Sequence, residues 1–397
     1  MAERKPINGS GDVSSLEHDP WLLTPGPITT TVTVKRAMLH DYGSRDEYFL
    51  AVSERLRKRL ATLVGEADYT AVLMQGSGTF AVEAMIGTFV PRHGALMILA
   101  NGAYGHRMTT ICERLGTRSH IVSWNDLTAV DPEVVDKALS RHPEVTHVAF
   151  VHCETTSGIL NPIETIASVV AAHGKALLID AMSSFGAIAF DAKATRFDAL
   201  AASANKCLQA IPGVGICLAQ RAAIARAAGN SRSLSLDLYE QWQAMERTRQ
   251  WRFTPPVHAV LALDCALDEL DAEGGVAARY RRYQDNCNEL IRGMRALGFE
   301  PLIPEQMQAP IIVTFRMPIH PRFDFQRFYE GMRSHNYIIY PGKLTQVDSF
   351  RMGCIGDLTP DRMGAAVAAV RQVMEELGVD LRAWRADRKA AVGLAGV

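Results

Sequence analysis

From Tyr69 onward, short and continuously apolar runs alternate with segments of helical period, and few folds accept that pattern. The runs are "YTAVLMQ", "ALMILAN", "HIVSW", "VTHVAFVH", "ALLIDA", "DALAASA" and "GICLAQ". Between them, "TFAVEAMIGTFV", "GHRMTTICERLG" and the stretches near 132–140 and 164–173 read as helices. A strand that faces water on one side alternates apolar with polar residues, and these do not. Continuous hydrophobicity therefore predicts strands covered on both faces, as in a mostly parallel sheet flanked by helices. That is the α/β class.

Past about residue 270 the texture changes. "EGGVAARYRRYQDNCNELIRGMRALGF" has the pattern of one long amphipathic helix, with Glu273, Gly274 and Gly275 marking its start. "PIIVTF", a helix through "FDFQRFYEGMRSH", "YIIYPG", "SFRMGCIG" and a helix "TPDRMGAAVAAVRQVMEELG" follow. Short, separated strands and helices predict a smaller α+β unit. The expected organisation is a polar arm at 1–20, a large domain at 21–270, a small C-terminal domain at 271–380 and a tail at 381–397. A chain of 397 residues suits such a division better than one core.

Lys and Arg number 42 against 43 Asp and Glu, a balance that argues against nucleic-acid or membrane-surface binding. No apolar run reaches the length of a membrane span, and the N-terminus lacks the apolar stretch of a secretory signal. The seven cysteines form no CxxC pair, and read as reduced thiols of a cytoplasmic protein. None of the twelve histidines sits in an HExxH-type spacing, so no metal is expected.

In a parallel sheet, ligands bind beyond the carboxyl ends of the strands, and the reactive residues fall there. After the first run comes Ser77, Gly78 and Thr79, leading straight into a helix. Such a turn either cradles a phosphate with helix N–H groups or simply caps the helix. Tyr104 follows the second run, placed to stack on a flat ligand or to pack locally. Glu154, Thr155 and Thr156 follow the fourth; Thr155 would reach a ring hydroxyl or a reacting amine, or make a local turn. Asp180 ends the fifth, where burial of its charge calls for a cation. Lys206 stands 26 residues further (206 − 180), in "SANKCLQAIPGVG", between small residues and a Pro-Gly loop. An amine, a carboxylate, a phosphate cradle and an aromatic plate at successive strand ends fit one cofactor, pyridoxal 5′-phosphate.

The segments "LLTPGPITT", "QGSGTFAVEAM", "NGAYGHRM", "HCETTSGILNP", "IDAMSSFG", "SANKCLQAIPGVG", "SLSLDLYEQW", "WRFTPPVH" and "YPGKLTQVDSFRMGCIGD" resemble class V aminotransferases of fold type I. The resemblance runs from about Trp21 to Gly378. Within that family it is to members that move an amino group from 2-aminoethylphosphonate to pyruvate, giving phosphonoacetaldehyde and alanine. It implies that Lys206 binds the cofactor covalently, that Asp180 partners the ring nitrogen, and that Ser77, Gly78 and Thr79 hold the phosphate. Tyr104 takes the place of the stacking aromatic, and Thr155 that of a residue near the ring hydroxyl. Thr254 corresponds to a residue that, in such homodimers, reaches the phosphate of the neighbouring subunit. Arg351 corresponds to the arginine that holds the acidic end of the substrate.

Arg45, in "HDYGSRDEYF", is a candidate second phosphonate contact or a surface arginine, and Lys343 has the same standing. Asn205 would position the lysine beside it. Three other readings stay open. One is alanine–glyoxylate or serine–pyruvate transamination on the same site. A class V lyase or desulfurase would need a mobile cysteine, whereas Cys354 is expected inside a strand, and would usually stack a histidine where Tyr104 stands. A non-catalytic binder of a phosphorylated ligand is the third.

Overall fold

The structure is a computed structural model that describes residues 19–65, 68–344, 347–381 and 384. The expected arm lies outside the described residues except for Asp19 and Pro20, as does the expected tail except for Leu381 and Trp384. In chain order the strands are β1 (Trp21–Leu22), β2 (Tyr69–Gly76), β3 (Ala95–Ala100), β4 (Arg118–Ser123), β5 (His147–Val151), β6 (Cys153–Glu154) and β7 (Ile159–Leu160). They continue with β8 (Ala176–Asp180), β9 (Ala199–Ser203), β10 (Gly213–Gln220), β11 (Ile312–Arg316), β12 (Tyr337–Ile338), β13 (Tyr340–Pro341) and β14 (Ser349–Gly353).

Seven strands form the main sheet in the order β2-β10-β9-β8-β5-β3-β4. Neighbouring pairs are parallel except at β10, which runs antiparallel to both β9 and β2. The expected two-sided burial is visible residue by residue. Met97 and Leu99 of β3, with Val148 and Phe150 of β5, join one apolar cluster. Leu96 and Ile98, with Ala149 and Val151, join the cluster on the opposite face. Successive side chains point to opposite faces of a strand, so a strand buried twice over must be apolar throughout. Edge strand β4 is the exception, with exposed and half-buried positions along its length.

A second core surrounds the three-stranded antiparallel sheet β11-β14-β13. The helices Gly275–Leu297 and Pro360–Glu376 pack on it through residues such as Leu290, Met294, Val370 and Met374. Gly274 ends the helix Val257–Glu273 in the left-handed region (φ 104°), and the long helix begins directly after it. Two details depart from expectation. Trp21 and Leu22, expected in the large unit, pair in parallel with β12, and Leu23 is buried in the second core. Cys354, expected within a strand, follows β14; its N–H donates to the Ile311 carbonyl, and the residue is fully buried all the same.

Candidate active site

The carboxyl ends of β2, β3, β5, β8 and β9 open on one cavity of about 200 Å³. Ser77, Thr79, Tyr104, Thr155, Asp180 and Lys206 are among its lining residues. Sheet order explains why, since β8 and β9 are neighbours and each delivers one reactive group to the same edge.

Asp180 is the last residue of β8, and its Oδ1 accepts a hydrogen bond from the Met182 N–H at 2.9 Å. Burial pushes its carboxyl up to about 7, and the nearby Glu154 charge adds to the rise; the Met182 N–H, Arg107 and Lys206 pull the other way. A buried carboxylate that is short of positive charge is a site for a cationic ligand group. Lys206 follows β9. Its Nζ donates to the Pro25 carbonyl at 2.6 Å and, at 3.5 Å, to that of Gly26. Burial lowers the pKa of this amine, against the pull of Tyr104, Cys207 and Asp180. An amine so shifted is more readily neutral and nucleophilic. Gly26 makes the clamp possible. It has φ +128°, and a Cβ there would sit 2.4 Å from the lysine Nζ.

The helix Gly78–Phe89 starts at the same edge, with Ser77 as N-cap and no side-chain capping bond from it. The first N–H groups of a helix lack intrahelical partners, which suits an anion. A Cβ on Gly78 would meet the Met182 sulfur at 2.1 Å, so only glycine lets the turn lie against the Asp180 loop. Arg107, which the strand-end pattern does not single out, lies three residues after Tyr104 on the helix Ala103–Leu115. Its Nη1 donates to Thr79 Oγ1 at 3.2 Å, and its guanidinium lies 4.9 Å from the Tyr104 ring centroid. The i, i+3 spacing from Tyr104 is the signal that marks it in the sequence.

Opposite this floor, the hydroxyl of Tyr104 is a meeting point. Lys343 Nζ donates to it at 3.2 Å, and Thr155 lines the cavity with it. Burial alone would raise the phenol pKa, but the charges of Lys343 and Lys206 and the polar contacts of Lys343 and Thr155 outweigh it and hold the group below its ordinary value. Arg351 on β14 is buried; it donates through Nη1 to the Thr155 carbonyl at 2.8 Å and through Nε to that of Pro341 at 3.1 Å. Burial lowers its pKa, as expected for a guanidinium without a close carboxylate. Glu154, to which the sequence assigns no role, is fully buried and orders this wall. It accepts from Thr156 N and Oγ1 (3.0 and 2.6 Å) and from the Gly105 N–H at 3.4 Å, anchoring the start of the Tyr104 helix.

Asn205 lines the cavity and its Oδ1 accepts from Ser203 Oγ at 2.6 Å. Arg351 touches the lining at Thr155 without being part of it, and two further expected site residues are not brought in by this chain. Thr254 is exposed in the loop between the helices Leu238–Thr248 and Val257–Glu273, and Arg45 is exposed in the turn before the helix Glu47–Thr62. On the described surface, one Glu144 carboxylate oxygen lies 2.9 Å from His120 Nε2 and 3.1 Å from His142 Nδ1. Two hydrogen bonds account for that grouping, and none of the three lines the cavity.

A two-core α/β chain with an amine and a carboxylate at adjacent strand ends matches a known family. The class-V aminotransferase model covers residues 31–330, and the chain belongs to that family. Among its relatives is 2-aminoethylphosphonate–pyruvate transaminase 2 of Burkholderia lata, 52% identical over 92% of this chain and 97% of that protein. The 2-aminoethylphosphonate–pyruvate transaminase of Pseudomonas aeruginosa is 49% identical over 92% of this chain and 99% of its own length. Among solved structures, pyridoxamine–pyruvate aminotransferase from Mesorhizobium loti aligns with a TM-score of 0.84 at 25% identity, over 94% of this chain and 98% of that one. Alanine–glyoxylate aminotransferase from Nostoc shares the fold to the same extent, with a TM-score of 0.84 at 23% identity, over 94% and 98% of the two chains.

Proposed function

We propose that this aminotransferase carries pyridoxal 5′-phosphate and moves the amino group of 2-aminoethylphosphonate to pyruvate, giving phosphonoacetaldehyde and alanine. The observation that carries the reading is the convergence of Lys206 and Asp180 on one cavity from adjacent strands. Relatives near 50% identity bear the name of this reaction, whereas the alanine–glyoxylate enzyme is a likeness of fold at 23%. The cavity suits the cofactor on its own evidence. A glycine turn at a helix start, an unpaired buried carboxyl and a clamped amine stand at separate points of one wall.

When bound, the cofactor supplies an aldehyde that takes the amine and a cationic ring that receives the electron pair left by proton loss. Lys206 would hold it through Nζ and, when its amine is free, would be the base that moves the proton of the carbon bearing nitrogen. Asp180 becomes fully anionic once a ring cation faces it, because an opposite charge reverses the rise that burial causes. Ser77, Gly78 and Thr79, with Arg107 beside them, would bind the phosphate. Tyr104 and Thr155 would hold the ring, and Arg351 would receive the acidic end of either substrate through a planar, multiply donating guanidinium.

The reading includes a homodimer in which Thr254 reaches the neighbouring cofactor phosphate. Its support is the exposure of Thr254 together with large exposed apolar side chains, Phe253, Phe80, Leu39 and Leu234. A cytoplasmic location fits seven free cysteines, six of them buried. The test is a half-reaction. The visible spectrum of cofactor-loaded protein should change on adding 2-aminoethylphosphonate alone, and pyruvate should restore it with release of alanine. A spectrum that responds to alanine but not to the phosphonate would overturn the substrate assignment.

A further inference from the structure

Two cations of different character reach residues that line the cavity. Arg351 is buried on β14 and fixed by the carbonyls of Thr155 and Pro341. Lys343 is exposed and reaches in from the segment after β13 to donate to the Tyr104 hydroxyl at 3.2 Å. Arg351 donates to the Thr155 carbonyl, and Thr155 and Tyr104 line the same cavity, so the two cations converge on one place. Among the described residues neither has a carboxylate within ion-pair distance. The pair is therefore incomplete without an anion.

What anion completes it depends on charge and shape. A carboxylate is a planar monoanion that a single guanidinium satisfies through two parallel hydrogen bonds. A phosphonate is tetrahedral with three acceptor oxygens, and, like a phosphate, its second ionisation falls close to neutral pH. It can occupy the guanidinium with two oxygens and offer the third, with the second charge, to a compact ammonium on a flexible stem. Two substrates with unequal acidic groups thus call on unequal numbers of cations.

Resting on the function proposed above, we infer that Lys343 is the residue that selects the phosphonate dianion, while Arg351 serves phosphonate and carboxylate alike. The ammonium leaves Tyr104 for the third phosphonate oxygen when the amino donor binds, and stays on Tyr104 when pyruvate or alanine binds.

Calorimetric binding of ethylphosphonate and of propionate to cofactor-loaded protein tests this directly, with Lys343→Gln and Lys343→Arg beside wild type. Exposure of Lys343 makes both variants compatible with the fold. Lys343→Gln should weaken ethylphosphonate tenfold or more and leave propionate within twofold; Lys343→Arg should recover most of the loss. Wild-type affinity for ethylphosphonate should rise from pH 6 to pH 8, and that rise should flatten in Lys343→Gln. Equal weakening of both ligands, or of neither, overturns the inference. Half-reaction rates with 2-aminoethylphosphonate separate it from the reading it rests on. Wild type that binds ethylphosphonate through Lys343 but leaves the aminophosphonate unreacted sustains the charge selection and sinks the proposed reaction. Wild type that reacts with it as fast as Lys343→Gln does keeps the reaction and sinks the selection.

Discussion

At the end of the cavity nearer the sheet, Asp180, Lys206 and the 77–79 turn come from strand ends of one rigid layer. At the far end, Arg351 of β14 and Lys343 after β13 reach Thr155 and Tyr104 of the cavity lining. The near groups are held by short contacts to backbone, Lys206 to Pro25 and Asp180 to Met182. At the far end Arg351 is likewise held by backbone carbonyls, whereas Lys343 is exposed and donates to a side-chain hydroxyl. Under the proposed function this division has a physical reason. The near end receives one ligand that never leaves, so fixed geometry costs nothing in versatility. The far end must accept two acids in turn, and a cation on a flexible stem adapts where a buried one cannot.

The largest effect that would break the comparison is at the near end. Lys206→Ala should lower turnover by at least about 10³-fold, the order expected when a proton-moving group is removed. It should also abolish the adduct that borohydride traps between protein and cofactor. Arg351→Ala should instead keep that adduct and lose both half-reactions. If Lys206→Ala retains a trapped adduct, the covalent attachment lies elsewhere and the near end has been misassigned.

Asp180 sharpens the comparison through its charge. In the cofactor-free protein its carboxyl titrates at about 7, against 3.8 for an ordinary aspartate. The folded state therefore holds a proton that the unfolded chain has lost between those values. Stability falls as pH rises through that window, by on the order of 4 kcal/mol at pH 8. Asp180→Asn removes that dependence. Cofactor-free Asp180→Asn should resist urea better than wild type at pH 8, with the gap closing as pH falls toward 4. Cofactor affinity should move the opposite way, falling in the variant because the ring cation has lost its counter-charge. A variant less stable than wild type at pH 8 would mean that the carboxylate is already satisfied by the protein.

The near end is legible in the sequence because two rules act together. Continuous apolar runs mark two-faced strands, and ligands bind where such strands end, so Tyr104, Thr155, Asp180 and Lys206 stand out by position alone. Arg351 has no such signal. It lies within a strand, at a place where a buried residue is usually apolar, and only likeness to a family singles it out. Arg107 and Glu154 escape notice for a different reason. Their work is done on neighbours, Thr79 and the start of the Tyr104 helix, through contacts between elements far apart in sequence. The clamp on Lys206 is hidden for the same reason, since 181 residues separate Pro25 from the amine it accepts from. The assignment of Trp21 to Leu23 to the large unit fails because a two-residue strand has no pattern of its own, and pairing with β12 settles its place.

The smallest expected effect concerns the two arginines put forward for the acidic end of the substrate. Arg351 is buried and bonded to two carbonyls, whereas Arg45 is exposed in a polar turn, outside the cavity lining of its own chain. An exposed side chain of this kind changes stability by no more than about 0.5 kcal/mol when truncated. Arg45→Ala should therefore leave the urea midpoint within error of wild type and the KM for 2-aminoethylphosphonate within about twofold, since no phosphonate contact is removed. Steady-state kinetics at low salt is the right measurement, because a long-range contribution of one exposed charge would be clearest there. A tenfold rise in KM for the phosphonate alone would place Arg45 against a substrate after all. It would also make the far end a product of more than one chain, since in its own chain the residue stands apart from the cavity.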